Sequence, residues 1–459
     1  MLELVIVALY FLVMVIIGVV SRRKAVAAKG FFVADRKQST LFVTGSLVAT
    51  IIGASATVGM AGLGFVRGLT GMWWLLVGSI GLVVLGLFFA ERVRRFGLYT
   101  LPELIEKQYD SRAASAAAIL IVVAWLGVIG GQIVAAGKIL SVLGLGSPLL
   151  WMVVFTVVFV AYTAIGGQYA VIRTDVIQAG VIFAGILAGL GLLLASVGGW
   201  DGLRHNLSPD YFAFPVSSEF GVMDLVSFLL LVGLTYVVGP DMYSRLFCAR
   251  DIKTARNSAL WAALLILPIA FAITIFGMGA AVLFPQIPPE QAFPTVIKEI
   301  FPPLLGGLVI AALLSAVMSS ADTCLLSAST ILTVDIIKRF RPSLKEEKVL
   351  LISRWAIVVL GIGSLALALF LKGIINALLF AYTIYTGGVI LPVIAGFYKN
   401  KLRVTSGGAL AAIIGGGLAA LASKLFNIKY LDLGSLAISL LLLFVVSLIE
   451  NSLRSRRSS

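Results

Sequence analysis

Residues 315 to 323 read Ser315-Ala316-Val317-Met318-Ser319-Ser320-Ala321-Asp322-Thr323, inside a run that is otherwise Leu, Ile, Val and Ala. Helical spacing stacks Ser315, Ser319 and Asp322 on one face, with Ser320 and Thr323 beside them. Hydroxyls and a carboxylate therefore converge at one level of an apolar helix, a set of hard oxygen ligands that suits a hard cation. The hydroxyls alone read equally well as groups that bond back to their own helix or join it to a neighbour. Asp322 changes the balance. A carboxylate at bilayer depth costs about 2.5 to 3.5 kcal/mol on insertion scales, and by default it marks an ion or proton path.

The surroundings place this helix in a membrane. Of 459 residues 60% are hydrophobic and 12% charged, and the mean hydropathy of +1.08 is far outside the range of soluble domains. Apolar runs of about 20 residues, enough to cross about 30 Å of hydrocarbon, recur along the chain. They predict thirteen spans, near 2–20, 40–66, 68–89, 113–143, 149–166, 174–197, 222–243, 258–284, 302–335, 350–371, 373–398, 403–423 and 433–450. The first of these resembles a secretory signal, but Arg22, Arg23 and Lys24 follow the apolar run instead of preceding it, so it reads as a retained helix. The formal net charge of +14 is explained by topology, not by nucleic acid. Basic loops at Arg22 to Lys37, Arg92 to Arg112, Arg245 to Arg256, Lys338 to Arg354, Lys399 to Arg403 and Arg454 to Arg457 fall on one side, the cytoplasm. The opposite loops hold few basic residues, among them Arg204, Lys298 and Lys429. This puts the N-terminus outside and the C-terminus inside. His205, the one histidine, lies in an outer loop, which argues against His-based catalysis or a His-rich metal site. Cys248 and Cys324 fall in different segments and are not expected to pair.

Two spans carry breaks at corresponding places. The second contains Gly53, Gly59, Gly62 and Gly64; the seventh contains Gly233, Gly239 and Pro240. Glycine also serves close helix packing, but the paired position together with Pro240 favours discontinuous helices, each opening a run of five. Residues 40–197 and 222–398 are then candidate halves of an inverted repeat within one transmembrane domain, 1–459. Asp175 opens the sixth span, where it could complement the helix dipole, pair with Arg173 or join an ion site. Gly53, Ala56, Trp125, Gln132, Tyr236, Tyr382 and Tyr385 are candidates to line a solute pocket, against the plainer reading of aromatic packing and interface anchoring.

On these residues the chain resembles the sodium/solute symporter family of proline, sugar, pantothenate, sialic acid and choline carriers. The resemblance rests on Gly166-Gly167 followed by Thr174-Asp175-Val176-Ile177-Gln178, on Leu101-Pro102-Glu103, and on Ala316 to Thr323 leading to Asp335. It implies a leucine-transporter-like core and a principal sodium site made by the carbonyls of Ala49 and Ile52, with Ala316 and the hydroxyls of Ser319 and Ser320. It also implies a second ion or proton site at Asp175, Ser319, Asp322 and Thr323. Ala56 departs from the glutamine of the sugar branch, Ile51 and Ile52 from the tryptophan of the choline branch, and Ile51 from an acidic residue of the proline branch. The run Pro240 to Arg245 with Phe247 is similar to the proline branch.

The expectation is therefore an all-α integral membrane protein, not an enzyme, that carries a small organic solute with sodium by alternating access. The solute leans toward an amino acid, proline-like, or another small carboxylate, because exposed N–H groups at a broken helix can receive a carboxylate. Sodium is the one cofactor expected, and the remaining partners are the solute and membrane lipid, with no nucleic acid. A monomer in a prokaryotic inner membrane is expected to suffice. The rivals are proton coupling through Asp322 or Asp175, a solute sensor without flux, and an intramembrane enzyme, for which no nucleophile and base accompany the carboxylates.

Overall fold

In hydrocarbon no water bonds the backbone, so apolar runs close their N–H and C=O groups internally as helices. The computed structural model describes residues 2–370, 373–426 and 431–458, and these are helical nearly throughout, with no strand beyond two isolated bridges. Leu371, where the tenth apolar run was expected to end, and Lys429, assigned to an outer loop, lie outside the described residues.

The principal helices are α1 (Leu2–Ser21), α2 (Thr40–Ile51), α3 (Met60–Arg67), α4 (Trp73–Val84), α5 (Ser111–Ser141), α6 (Pro148–Val197) and α7 (Leu234–Val237). They continue with α8 (Pro240–Cys248), α9 (Ile252–Leu283), α10 (Pro303–Ile331), α11 (Glu346–Ala368), α12 (Ile374–Tyr385), α13 (Ser406–Leu425) and α14 (Leu431–Ser458). Among the described residues eleven segments are long and apolar enough to cross a membrane. The longest, α6, has 50 residues. A straight helix of that length would rise about 75 Å, more than twice the hydrocarbon thickness. It turns instead at Gly167, where φ is 52° and ψ −147°.

Helix starts follow local chemistry. Asp110 accepts the N–H groups of Arg112 and Ala113 ahead of α5, Ser147 that of Leu150 ahead of α6, and Asp251 that of Thr254 ahead of α9. Thr100 and Glu103 form a reciprocal capping box, and the Thr100 hydroxyl also donates to Asp335 at 3.1 Å, tying this loop to the residues that follow α10.

Burial ranks the helices. The most apolar window of α10 is 83% buried and that of α14 only 28%, so α10 is the axis of the bundle and α14 lies at its edge. Around α10 pack α1, α5 and α6. The Tyr10 hydroxyl of α1 accepts from Gln178 of α6 at 2.9 Å and donates to the Met318 sulfur of α10 at 3.7 Å, so α1 is part of the fold. Cys248 and Cys324 are both free and buried.

Gly167 should be irreplaceable. A Cβ there would lie 2.6 Å from the Phe31 ring and 2.8 Å from its carbonyl oxygen, at a φ that L residues rarely adopt. Gly167→Ala is expected to destabilise the protein by about 1 to 3 kcal/mol or more. A lower melting temperature of the detergent-purified variant checks it; an unchanged one would show that the turn does not depend on this residue.

Candidate ion and solute site

The site begins where α2 stops. Ile52 leaves the helix at φ −82°, ψ 69°, and regular backbone resumes in a wide turn over Ser55–Gly59 that leads into α3. The polar groups released by this break are bonded by side chains of α10 and α5 and by one local hydroxyl, that of Thr57. Ser319 of α10 donates its hydroxyl to the Ala49 carbonyl at 2.7 Å and is 3.1 Å from the Ala316 carbonyl. Ser320 donates to the Thr50 carbonyl at 2.5 Å. Gln132 of α5 accepts the Ala54 N–H at 2.8 Å, and Thr57 donates to the Gly53 carbonyl at 2.9 Å. Gly53 is required by close approach, since a Cβ there would overlap the Ser320 hydroxyl and lie 3.0 Å from its Cβ.

These contacts bring Ala49, Ala316, Ser319 and Ser320 together, with Thr50 as the second carbonyl at the serines. Ile52, the other expected carbonyl donor, sits fully buried at the break itself. Neutral hydroxyls and carbonyls at this spacing fit a monovalent hard cation, which needs several oxygens and little ligand charge.

Next to the serines lies a charged cluster. Asp175 of α6 is fully buried and pairs at 3.1 Å with Arg245 of α8, also fully buried. The Arg245 guanidinium further donates to Ser46 at 3.0 Å, to Ser244 at 3.1 Å and to Thr323. Ser46 donates to Asp175 in turn. Thr323 is 3.1 Å from the Thr50 hydroxyl and 3.3 Å from Asp322, whose other oxygen accepts from the Tyr162 hydroxyl. Asp175, Ser319, Asp322 and Thr323 thus belong to one buried polar region, with a guanidinium among them.

Two readings of the sequence are corrected here. Arg245 is not a basic loop residue but a core residue with 0% exposure. Arg173 does not pair with Asp175; it bonds Ser21 at 3.3 Å. The available signal was the spacing, since Arg245 follows Pro240 within one short helix and its side chain points back over the preceding turn.

Between the breaks lies a small cavity of about 20 Å³, little more than one water needs. Of the expected pocket residues Gly53, Gln132, Tyr236 and Tyr382 line it, beside Thr50 and Ser320. Ala56, Trp125 and Tyr385 are not in its wall. Ala56 is buried in the wide turn, and Trp125 packs edge-on to Tyr385 at 4.9 Å between ring centroids. The Tyr385 hydroxyl reaches 2.5 Å from the carbonyl of Val238, which lies in the second break between α7 and α8. Asp241 and Met242, at the start of α8, also line the cavity and were not anticipated.

Removing one member of a buried ion pair leaves the other uncompensated. Arg245→Ala is therefore expected to destabilise the fold by about 3 to 5 kcal/mol, and Asp175→Ala combined with Arg245→Ala by less than the two single losses added together. Melting curves of the two single variants and the double variant check this; additive losses would show that the pair is not coupled.

Residues 31–416 match the family model described as the Sodium:solute symporter family. The chain is 27% identical to the sodium/glucose cotransporter of Vibrio parahaemolyticus, covering 90% of this chain and 83% of that one. It is 26% identical to the sodium/pantothenate symporter of Escherichia coli (strain K12), covering 92% and 89%. The fold is similar to that of a sodium-coupled sialic acid symporter in its substrate-bound, outward-open state, with a TM-score of 0.84 at 18% identity over 98% of each chain. The matched range includes the broken second helix, Asp175 and the α10 serines, and the family it names is one of transporters, not of enzymes. The chain belongs to the sodium:solute symporter family, as a multi-pass membrane protein that couples a small solute to sodium.

Proposed function

We propose that this symporter carries an amino acid, or another small carboxylate, with sodium held by Ala49, Ile52, Ala316, Ser319 and Ser320. The observation that carries this reading is the pairing of the Ser319 and Ser320 hydroxyls with the carbonyls of Ala49 and Thr50 at the break after α2. A cation exchanged into those contacts would bind α10 to the broken helix. It would thereby favour the conformation competent to bind solute, and by linkage the solute would raise sodium affinity by the same factor. Gly53, Gln132, Tyr236 and Tyr382 form the solute side, with Ala56, Trp125 and Tyr385 behind it.

The proposal includes thirteen spans once α6 is divided at Gly167 and the broken second helix is taken as its own span. The N-terminus lies outside and the C-terminus inside, and 40–197 and 222–398 are inverted repeats. The breaks at 52–54 and 238–239 support the repeats, because each lies in the first helix of its half. Basic inner loops support the orientation. The transporter works as a monomer, surrounded by lipid, in a prokaryotic cell membrane.

A second reading is favoured by one observation. The buried cluster holds two carboxyl groups, Asp175 and Asp322, but one cation, Arg245, so a proton on the second carboxyl would serve as well as a metal ion. Coupling would then follow pH instead of sodium.

Sodium chloride, but not potassium or choline chloride at equal ionic strength, is expected to raise the melting temperature of the purified protein. Saturation to a hundred times the dissociation constant corresponds to about 2.7 kcal/mol. Ser319→Ala should abolish the rise while leaving a cooperative melt. A sodium-independent melt that shifts with pH would favour the proton reading, and uptake restricted to a neutral sugar would exclude the carboxylate solute.

A further inference from the structure

We propose that Asp241 recognises a cationic nitrogen, so that the solute carried is an amino acid or related amine and not a polyol or a simple carboxylate. This deepens the solute reading above and rests on it.

Asp241 is in the first turn of α8, a half-buried carboxylate in the wall of the cavity between the two helix breaks. Its carboxylate lies near the backbone N–H groups of the helix start, its own and that of Met242. No Lys or Arg nitrogen of the described residues lies within 4.0 Å of it. Arg245, one turn further along α8, directs its guanidinium instead to Asp175, Ser46, Thr323 and Ser244. The other buried carboxylates of the site differ in this respect, since Asp175 has Arg245 and Asp322 has the Tyr162 and Thr323 hydroxyls. Of these three carboxylates Asp241 is the one in the cavity wall, and no side-chain donor of the described residues bonds it.

An ionisable group at membrane depth calls for a partner, and Asp241 lines the cavity. Tyr236 and Tyr382 line the same cavity and offer ring faces and hydroxyls, which suit a cationic nitrogen. Asp241 also occupies the positive end of α8, so that end does not serve a solute carboxylate. A carboxylate would have to lie toward the other break, near Gly53 and Ser55, with the nitrogen toward Asp241. That arrangement matches an α-amino acid and disfavours an anion without an amine.

The test is a ligand screen by thermal shift on the full-length purified protein in sodium chloride. The probes are the twenty common amino acids, small monoamines, glucose, myo-inositol, lactate and pantothenate. The account expects stabilisation by at least one amine-bearing solute, none by the des-amino analogue of that solute, and none by the sugars or plain carboxylates. Asp241→Asn should weaken the amine by about thirtyfold or more while keeping the sodium-dependent shift. Stabilisation by a solute without cationic nitrogen, no response to any amine, or unchanged amine affinity in Asp241→Asn would each overturn the proposal. If Asp241→Asn does not fold, the comparison of each amine with its des-amino analogue on the unaltered protein still decides. Absence of any sodium-specific shift in the unaltered protein is a separate result, and it would overturn the sodium reading instead.

Discussion

A peptide group released from a helix inside hydrocarbon has no water to bond, and the core of this protein is arranged around two places where that happens. At the first, the carbonyls of Ala49, Thr50 and Gly53 and the N–H of Ala54 are met by Ser319, Ser320, Thr57 and Gln132. At the second, the Val238 carbonyl is met by Tyr385. Apart from the local Thr57, these partners come from α10, α5 and α12, so the breaks join helices distant in sequence. The same requirement explains why α10, the helix that carries the serines, is the most deeply buried. Its side chains replace the solvent that the broken backbone lacks.

The charged cluster is a second consequence of the same geometry. Because α8 begins anew at Pro240, its side chains enter the protein at membrane depth and Arg245 reaches Asp175 in α6 and Thr323 in α10. Thr50 lies between the two systems, with its carbonyl accepting Ser320 and its hydroxyl beside Thr323. Any movement of the broken second helix relative to α10 therefore acts on the serine site and the ion pair together. That shared residue is a physical route by which occupancy of the oxygen site can bear on α8, and so on the cavity wall at Asp241.

Much of this was legible in the sequence. Length and hydropathy located the helices, the glycines and Pro240 located the breaks, and the hydroxyls and carboxylate at Ser315, Ser319 and Asp322 singled out α10, which is buried on all sides over 309–331. What was not legible depended on depth and direction. Arg245 reads as a loop cation because positive charge at the edge of an apolar run usually marks the cytoplasm. Only the restart of the chain at Pro240 places it in the core. Asp241 reads as an ordinary acidic residue at a helix start. Its cavity exposure depends on α5 and α12 closing around it. Trp125 and Tyr385 have the right helical face for a pocket, but they are packed against one another, which periodicity does not reveal.

The most direct test of the account is hydrogen exchange of the full-length protein in sodium against potassium at equal ionic strength. If sodium joins α10 to the broken helix, protection should increase over Val48 to Gly59 and Ser315 to Thr323. The amides of Ile52, Ala54 and Thr57 report directly on the break. Unchanged exchange in both segments, with sodium effects confined to other helices, would contradict the claim that the break after α2 and the α10 serines form the ion site.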